Sequence, residues 1–129
     1  GLGLEHSRAE LSRAVLEGIG YALRDSVTLI EEHGCRVETI RIAGAPNKSH
    51  LLNQIKADIL GRPLLLPQVP EAELIGCACI ASYALTRDRS IRAAANRLVK
   101  ITNTIYPRGE YSTIYDEGFA HYKRQQEFL

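Results

Sequence analysis

The sequence predicts a helix-rich α/β domain with at least two parallel strands. Long segments repeat apolar residues at helical spacing. Two short runs, 36–42 and 63–66, are rich in β-branched or apolar residues and are bracketed by turn residues. The segments follow the order α-β-α-β-α-α-α, and such alternation argues for parallel strands joined by a right-handed crossover helix.

Composition bounds what such a chain does. Its 129 residues and 14.3 kDa suit one domain with a real core. Hydrophobic content of 45% and charged content of 24% exclude a chain that is disordered throughout. Sixteen Lys and Arg against 15 Asp and Glu leave a charge of +1, without the excess of base expected of a nucleic-acid surface. No apolar run approaches the ~20 residues that cross a bilayer. The opening GLGLEHSR has no signal-peptide pattern. Three Cys, an odd number, point to a reduced, cytoplasmic setting. The chain has no Met, so it is expected to be a processed or excised piece.

The elements follow in order. Residues 7–33 read as a long helix, with Leu11, Val15, Ile19, Leu23, Val27 and Ile30 on one face. Ser7 and Glu10 form a capping box, and Gly34 stands where a left-handed residue stops the helix. Gly18 and Gly20 each cost ~1 kcal/mol mid-helix, which implies close approach of another backbone. The run RVETIRI (36–42) is a strand. Ser49 caps a helix ending at Gly61, with Leu51, Leu52, Ile55, Ile59 and Leu60 apolar. A short strand spans 63–66. Residues 71–85 form a small-residue helix suited to burial, and Ser90 caps a helix over 91–101. After a break at 107–110, Tyr111, Tyr115, Phe119 and Tyr122 make an aromatic stripe on a last helix. Two strands beneath five helices form a thin sheet, so further strands are expected from elsewhere. The two strands should be neighbours, with their open edges covered by a second copy or an additional segment.

The stretch IRIAGAPNKSHLLNQIKADILGRP has the most chemical content. A strand ends, a small-residue loop turns, and a helix begins. Helix N-termini offer free N–H groups and a partial positive charge to a phosphate or polar ligand edge. On the residues alone, an ordinary β–α turn with an N-cap is the favoured reading.

Four motifs carry a resemblance. Glu5-His6-Ser7-Arg8-Ala9-Glu10-Leu11-Ser12-Arg13-Ala14-Val15-Leu16-Glu17-Gly18 resembles the H-x-R-A-x-L-x-R-A-v-L-E-G helix of the FGGY carbohydrate kinases. Residues 40–63 are similar to the family's I-r-v-x-G-G-G-x-k-S-x-L-w-x-Q-i-x-A-D-v-L-G-x-P segment. Glu71-Ala72-Glu73-Leu74-Ile75-Gly76-Cys77-Ala78 resembles E-A-x-A-L-G-A-A, and 115–122 resembles Y-d-e-x-y-x-x-Y. Xylulokinase-like and glycerol kinase-like members are the nearest types.

The resemblance implies a partial RNase H-like (actin-like ATPase) domain. It implies that 1–129 is a C-terminal segment of the second of two kinase domains, lacking the first domain and the early hairpin of the second. It further implies ATP and Mg²⁺ as cofactors, the metal being held mainly elsewhere. The remainder of the kinase chain is the implied partner and a sugar or polyol the substrate, with no nucleic acid or membrane partner; self-association stays open. Gly44, Ala45 and Ser49 map to the adenosine side of the nucleotide site, with no catalytic or metal-binding residue in this chain, and the segment alone is expected to be inactive. Three positions depart from the pattern: Ala45 and Pro46 stand where glycines are common, and Leu52 replaces a common Trp. A non-catalytic, degenerate lobe used for nucleotide binding or assembly is the alternative.

The remaining candidates are weaker. Cys77 and Cys79 point roughly 200° apart on a helix and read as buried small residues. Cys35 is expected to pack. His6, His33, His50 and His121 lack ligand spacing, and His50 reads as solvated. Asp58 reads as a helix-surface residue or one behind the ligand. Asp116 and Glu117 form no acid/base pair. Arg87-Asp88-Arg89 reads as a solvated loop, and the Tyr stripe as core packing.

Overall fold

A computed structural model of the chain describes residues 3–44, 48–86 and 90–127. The order is α1 (Arg8–Glu32), β1 (Ile40–Arg41), α2 (His50–Leu60), β2 (Leu64–Pro67), α3 (Ala72–Thr86), α4 (Ile91–Leu98), β3 (Ile101–Ile105), a 3₁₀ turn (Gly109–Tyr111) and α5 (Ser112–Gln126).

The termini of α1 and α2 follow local chemistry. Ser7 Oγ accepts from Ala9 N at 3.1 Å, and Glu10 accepts from Ser7 N at 2.8 Å, completing the capping box. Gly34, just beyond the α1 C-cap His33, has φ 85°, and Gly61 ends α2 at φ 62°. Both sit in the left-handed region that favours glycine.

The described sheet has order β1-β2-β3. β1 and β2 are parallel, with Ile40 opposite Leu64 and Arg41 opposite Leu65, as expected of strands joined through α2. The third strand corrects the expected helix over 91–101. That helix stops at Leu98, Val99 turns to extended backbone, and 101–105 pairs antiparallel to β2, with Leu64 opposite Ile105. The expected strand 36–42 shrinks to two residues because Val37 is claimed by side chains. Its N–H donates to Glu31 Oε1 at 3.3 Å, and its carbonyl accepts from Arg62 Nε at 2.5 Å. Arg62 Nη2 also reaches both Glu31 oxygens, at 2.6 and 2.8 Å.

Two apolar clusters meet at α2. Ala57 and Leu60 join Ile42, Leu64 and Ile105 against the sheet, with Val27 of α1 packed beside them. Ile55 and Ile59 face Tyr115 of α5, with Leu16, Tyr21 and Tyr111 around them. Gly20 is the contact point of α1. A Cβ there would meet Ile59 Cδ1 at 2.5 Å, so the close approach is by a side chain rather than by another backbone. Gly18 has nothing within 4 Å, contrary to the expectation of close approach.

The periodic row on α1 is largely uncovered. Leu11, Val15, Ile19, Leu23 and Ile30 are exposed, and of that row only Val27 packs on the core. α3 is apolar all round, yet among its described side chains Cys79 alone is buried. Helices of that kind are normally covered on every side. Cys77 and Cys35 are exposed, contrary to the expected packing. The aromatic stripe does pack: Tyr21 meets Tyr115, Phe119 and Tyr122 at 5.7–6.5 Å between ring centroids.

Candidate functional site

The predicted loop sits at the carboxyl end of β1. Ile42, the residue after the strand, donates its N–H to Leu65 O at 3.0 Å. Gly44 then turns at φ 80°, and its N–H donates to Pro70 O at 2.7 Å. This bond ties the end of β1 to the connection between β2 and α3. Ala45, Pro46 and Asn47 lie outside the described residues. The chain is next described at Lys48, and Ser49 caps α2 with extended backbone, φ −92° and ψ 98°.

Ser49 Oγ accepts from Leu52 N at 3.3 Å, and Ser49 O accepts from Asn53 N at 3.0 Å. The hydroxyl therefore already works as the cap and remains exposed, as does His50 beside it. Gly44 stands just past the end of β1 and Ser49 at the N-terminus of α2. The stretch 43–50 contains hydroxyl, amide, amine and imidazole groups but no carboxylate. Among the described residues no three His, Cys, Asp or Glu cluster as a metal site.

Rigid contacts hold α2 behind the loop. Asp58, read from sequence as a helix-surface residue or one behind the ligand, is buried with its side chain fully covered, which overturns the first of those readings. It accepts from Arg108 N at 2.8 Å, Arg108 Nε at 3.1 Å, Arg108 Nη2 at 2.6 Å and Gln54 Nε2 at 2.9 Å. Burial alone would push this carboxyl up; the bonds from Arg108 and Gln54 outweigh it and hold it below the usual range. Gln54 also donates to Tyr106 O at 3.0 Å. A carboxylate four residues after a Gln on one helix was the available signal, since the two are neighbours on the helix.

A second set of charges joins α1 to α5. Arg13 Nη2 donates to Tyr115 Oη at 2.5 Å and Arg13 Nε to Glu17 at 2.7 Å. Arg24 pairs with Asp116 at 2.6 Å and lies over Phe119 at 4.5 Å. Lys123 pairs with Asp25 at 2.6 Å. Asp116 is thus an ion-pair partner. Burial pushes the Tyr21 phenol up to about 12, so it is uncharged across the physiological range.

No helix among the described residues is long and apolar enough to cross a membrane. Residues 1–85 match the FGGY family of carbohydrate kinases, C-terminal domain. The chain is 28% identical over 123 residues to xylulose kinase of Staphylococcus epidermidis, covering 95% of this chain and 25% of that protein. It is 40% identical over 80 residues to glycerol kinase 2 of Thermotoga maritima, covering 61% of this chain and 16% of that protein. The crystal structure of xylulose kinase from Rhodospirillum rubrum superposes with a TM-score of 0.86 at 26% identity, covering all of this chain and 26% of the other. The chain thus spans about a quarter of the length of the xylulose kinases it matches. Its fold is part of an actin-like (RNase H-like) ATPase domain. With most of its length matched by that C-terminal domain, the chain belongs to the FGGY family of carbohydrate kinases.

Proposed function

We propose that this chain is part of an ATP-dependent kinase for a sugar or polyol hydroxyl, and that it contributes the adenosine side of the nucleotide site through Gly44, Ala45 and Ser49. The observation that carries this reading is the placement of Gly44 just past the carboxyl end of a parallel strand and of Ser49 at the N-terminus of α2. Ligands of open α/β sheets favour that end of the strands. Helix N–H groups there are oriented toward a polar guest.

In the whole enzyme the substrate hydroxyl oxygen attacks the γ-phosphorus and the bond to the ADP oxygen breaks. The hydroxyl proton passes to a carboxylate outside this chain. Mg²⁺, held elsewhere, would offset charge on the phosphates. This chain's part is to fix the adenosine and form one wall of the cleft, a positional contribution. The rest of the kinase chain is the natural cover for the exposed rows of α1 and α3. ATP as donor makes the cytoplasm the site of action, and the chain by itself turns over no substrate.

A second reading, a non-catalytic lobe, is favoured by one observation: the Gly44 N–H is already taken by Pro70 O, and Leu52 N already occupies a lone pair of Ser49 Oγ. Titration calorimetry of the full-length protein with ATP, beside a coupled assay on pentoses, hexoses and glycerol, separates the readings. ATP binding with turnover supports the kinase. Binding without turnover on any substrate supports the lobe, and absence of ATP binding defeats the nucleotide site altogether.

A further inference from the structure

We propose that the cleft between the sheet and the α3–α4 pair binds a small amphipathic anion, an aliphatic body carrying one carboxylate or phosphate head. Alternation along β1 puts Ile40 and Ile42 toward α2, and turns Arg41 and Ala43 to the opposite face. There α3 packs chiefly on α4 and leaves a cavity of about 280 Å³ beside the carboxyl ends of β1 and β2. Its walls include Val69, Ile75, Cys79 and Leu98. An apolar cavity of ~150 Å³ already admits benzene, so this one has room for a medium-length alkyl chain.

Charge selects the head group. Arg41 and Lys100 both line the cleft, and neither side chain has an ion pair or hydrogen bond among the described residues. No Asp or Glu is among the described lining residues. An apolar chamber with two unpartnered cations and no acid is complementary to an apolar chain ending in an anion. The inference does not depend on the kinase reading, because it rests on the other face of β1 and on residues that Gly44 and Ser49 do not include.

Calorimetry on the full-length protein tests it with octanoate, octyl phosphate, octanol and octylamine. Octanoate or octyl phosphate should bind at least tenfold tighter than octanol or octylamine, and the stronger of the two anions identifies the head group. Arg41→Gln with Lys100→Gln should erase that preference. Gly76→Leu, where a side chain has open space toward the cleft, should block binding without lowering the melting temperature. Equal binding of octanol, no binding of either anion, or unchanged binding in the double variant or in Gly76→Leu would overturn the proposal. Displacement of the anion by ATP would also overturn it, by making the cleft part of the nucleotide site.

Discussion

Asp58 and Arg108 form one closed unit: three donors of Arg108 converge on a carboxylate whose side chain is fully buried. The guanidinium also lies over the Tyr111 ring at 4.3 Å. The last turn of α2 is thereby fixed to the segment that leads into α5. The carboxylate is covered while the arginine is partly open, so solvent screens the pair from one side only.

Asp58→Asn should destabilise the protein by about 2–3 kcal/mol at neutral pH, since it removes the charge that three donors address. The Asp58 carboxyl is held below its ordinary value in the folded state. Its contribution is therefore complete above the usual carboxylate range near ~4, and is lost as pH falls through the folded value. Urea unfolding of both proteins from pH 7 to pH 3 should show the gap narrowing toward acid. A gap constant down to pH 3 would exclude the ion pair as its source.

Glycines in two helices should respond with opposite sign. A Cβ on Gly118 would collide with the Tyr21 hydroxyl, and that ring is held among Tyr115, Phe119 and Tyr122. Gly118→Ala should cost about 1–3 kcal/mol through displacement of the ring. Gly18→Ala meets nothing within 4 Å and should gain about 0.5–1 kcal/mol from helix propensity. Melting temperatures of the two variants check this directly.

Arg62→Lys should weaken the junction of α1, Val37 and α2. Arginine here bonds two Glu31 oxygens and the Val37 carbonyl at once, and a single ammonium cannot reproduce that planar fork. A loss of about 1 kcal/mol is expected, with faster amide exchange at Val37, whose N–H depends on the same Glu31.

The local signals were legible where a residue's own backbone decides the outcome. Ser7, Ser49, Ser90, Gly34 and Gly61 mark their helix ends by capping and left-handed geometry. The parallel pairing of β1 with β2 was legible from strand–helix–strand order. β3 was hidden because the apolar residues of α4 run on into Ile101, although ITNTI is rich in β-branched residues. Burial was least legible. Most of the regular row on α1 stays exposed, Val27 excepted, while Leu16, Gly20 and Tyr21 make contact. A period finds the helix, and only the partner fixes which face is used. Of the candidate site, the Ser49 cap was legible. The role of the Gly44 N–H depends on Pro70, 26 residues later, and no local pattern announces it.

Ser49→Ala separates the two roles assigned to that hydroxyl. As a cap it satisfies Leu52 N, so its loss should cost about 1 kcal/mol and lower the melting temperature without any ligand. As a nucleoside contact it would add one neutral hydrogen bond, about 0.5–1.5 kcal/mol, or a three- to tenfold weaker ATP constant in the full-length protein. The cap term moves the unliganded melting temperature, and the contact alters only the shift that ATP adds to it. Ser49→Asp should retain the cap but lose the hydroxyl donor offered to the nucleoside, so stability returns and ATP affinity does not. If Ser49→Ala lowers the unliganded melting temperature and leaves the ATP-induced shift intact, Ser49 is a cap and nothing more. The adenosine contact would then rest on Gly44 and Ala45 alone.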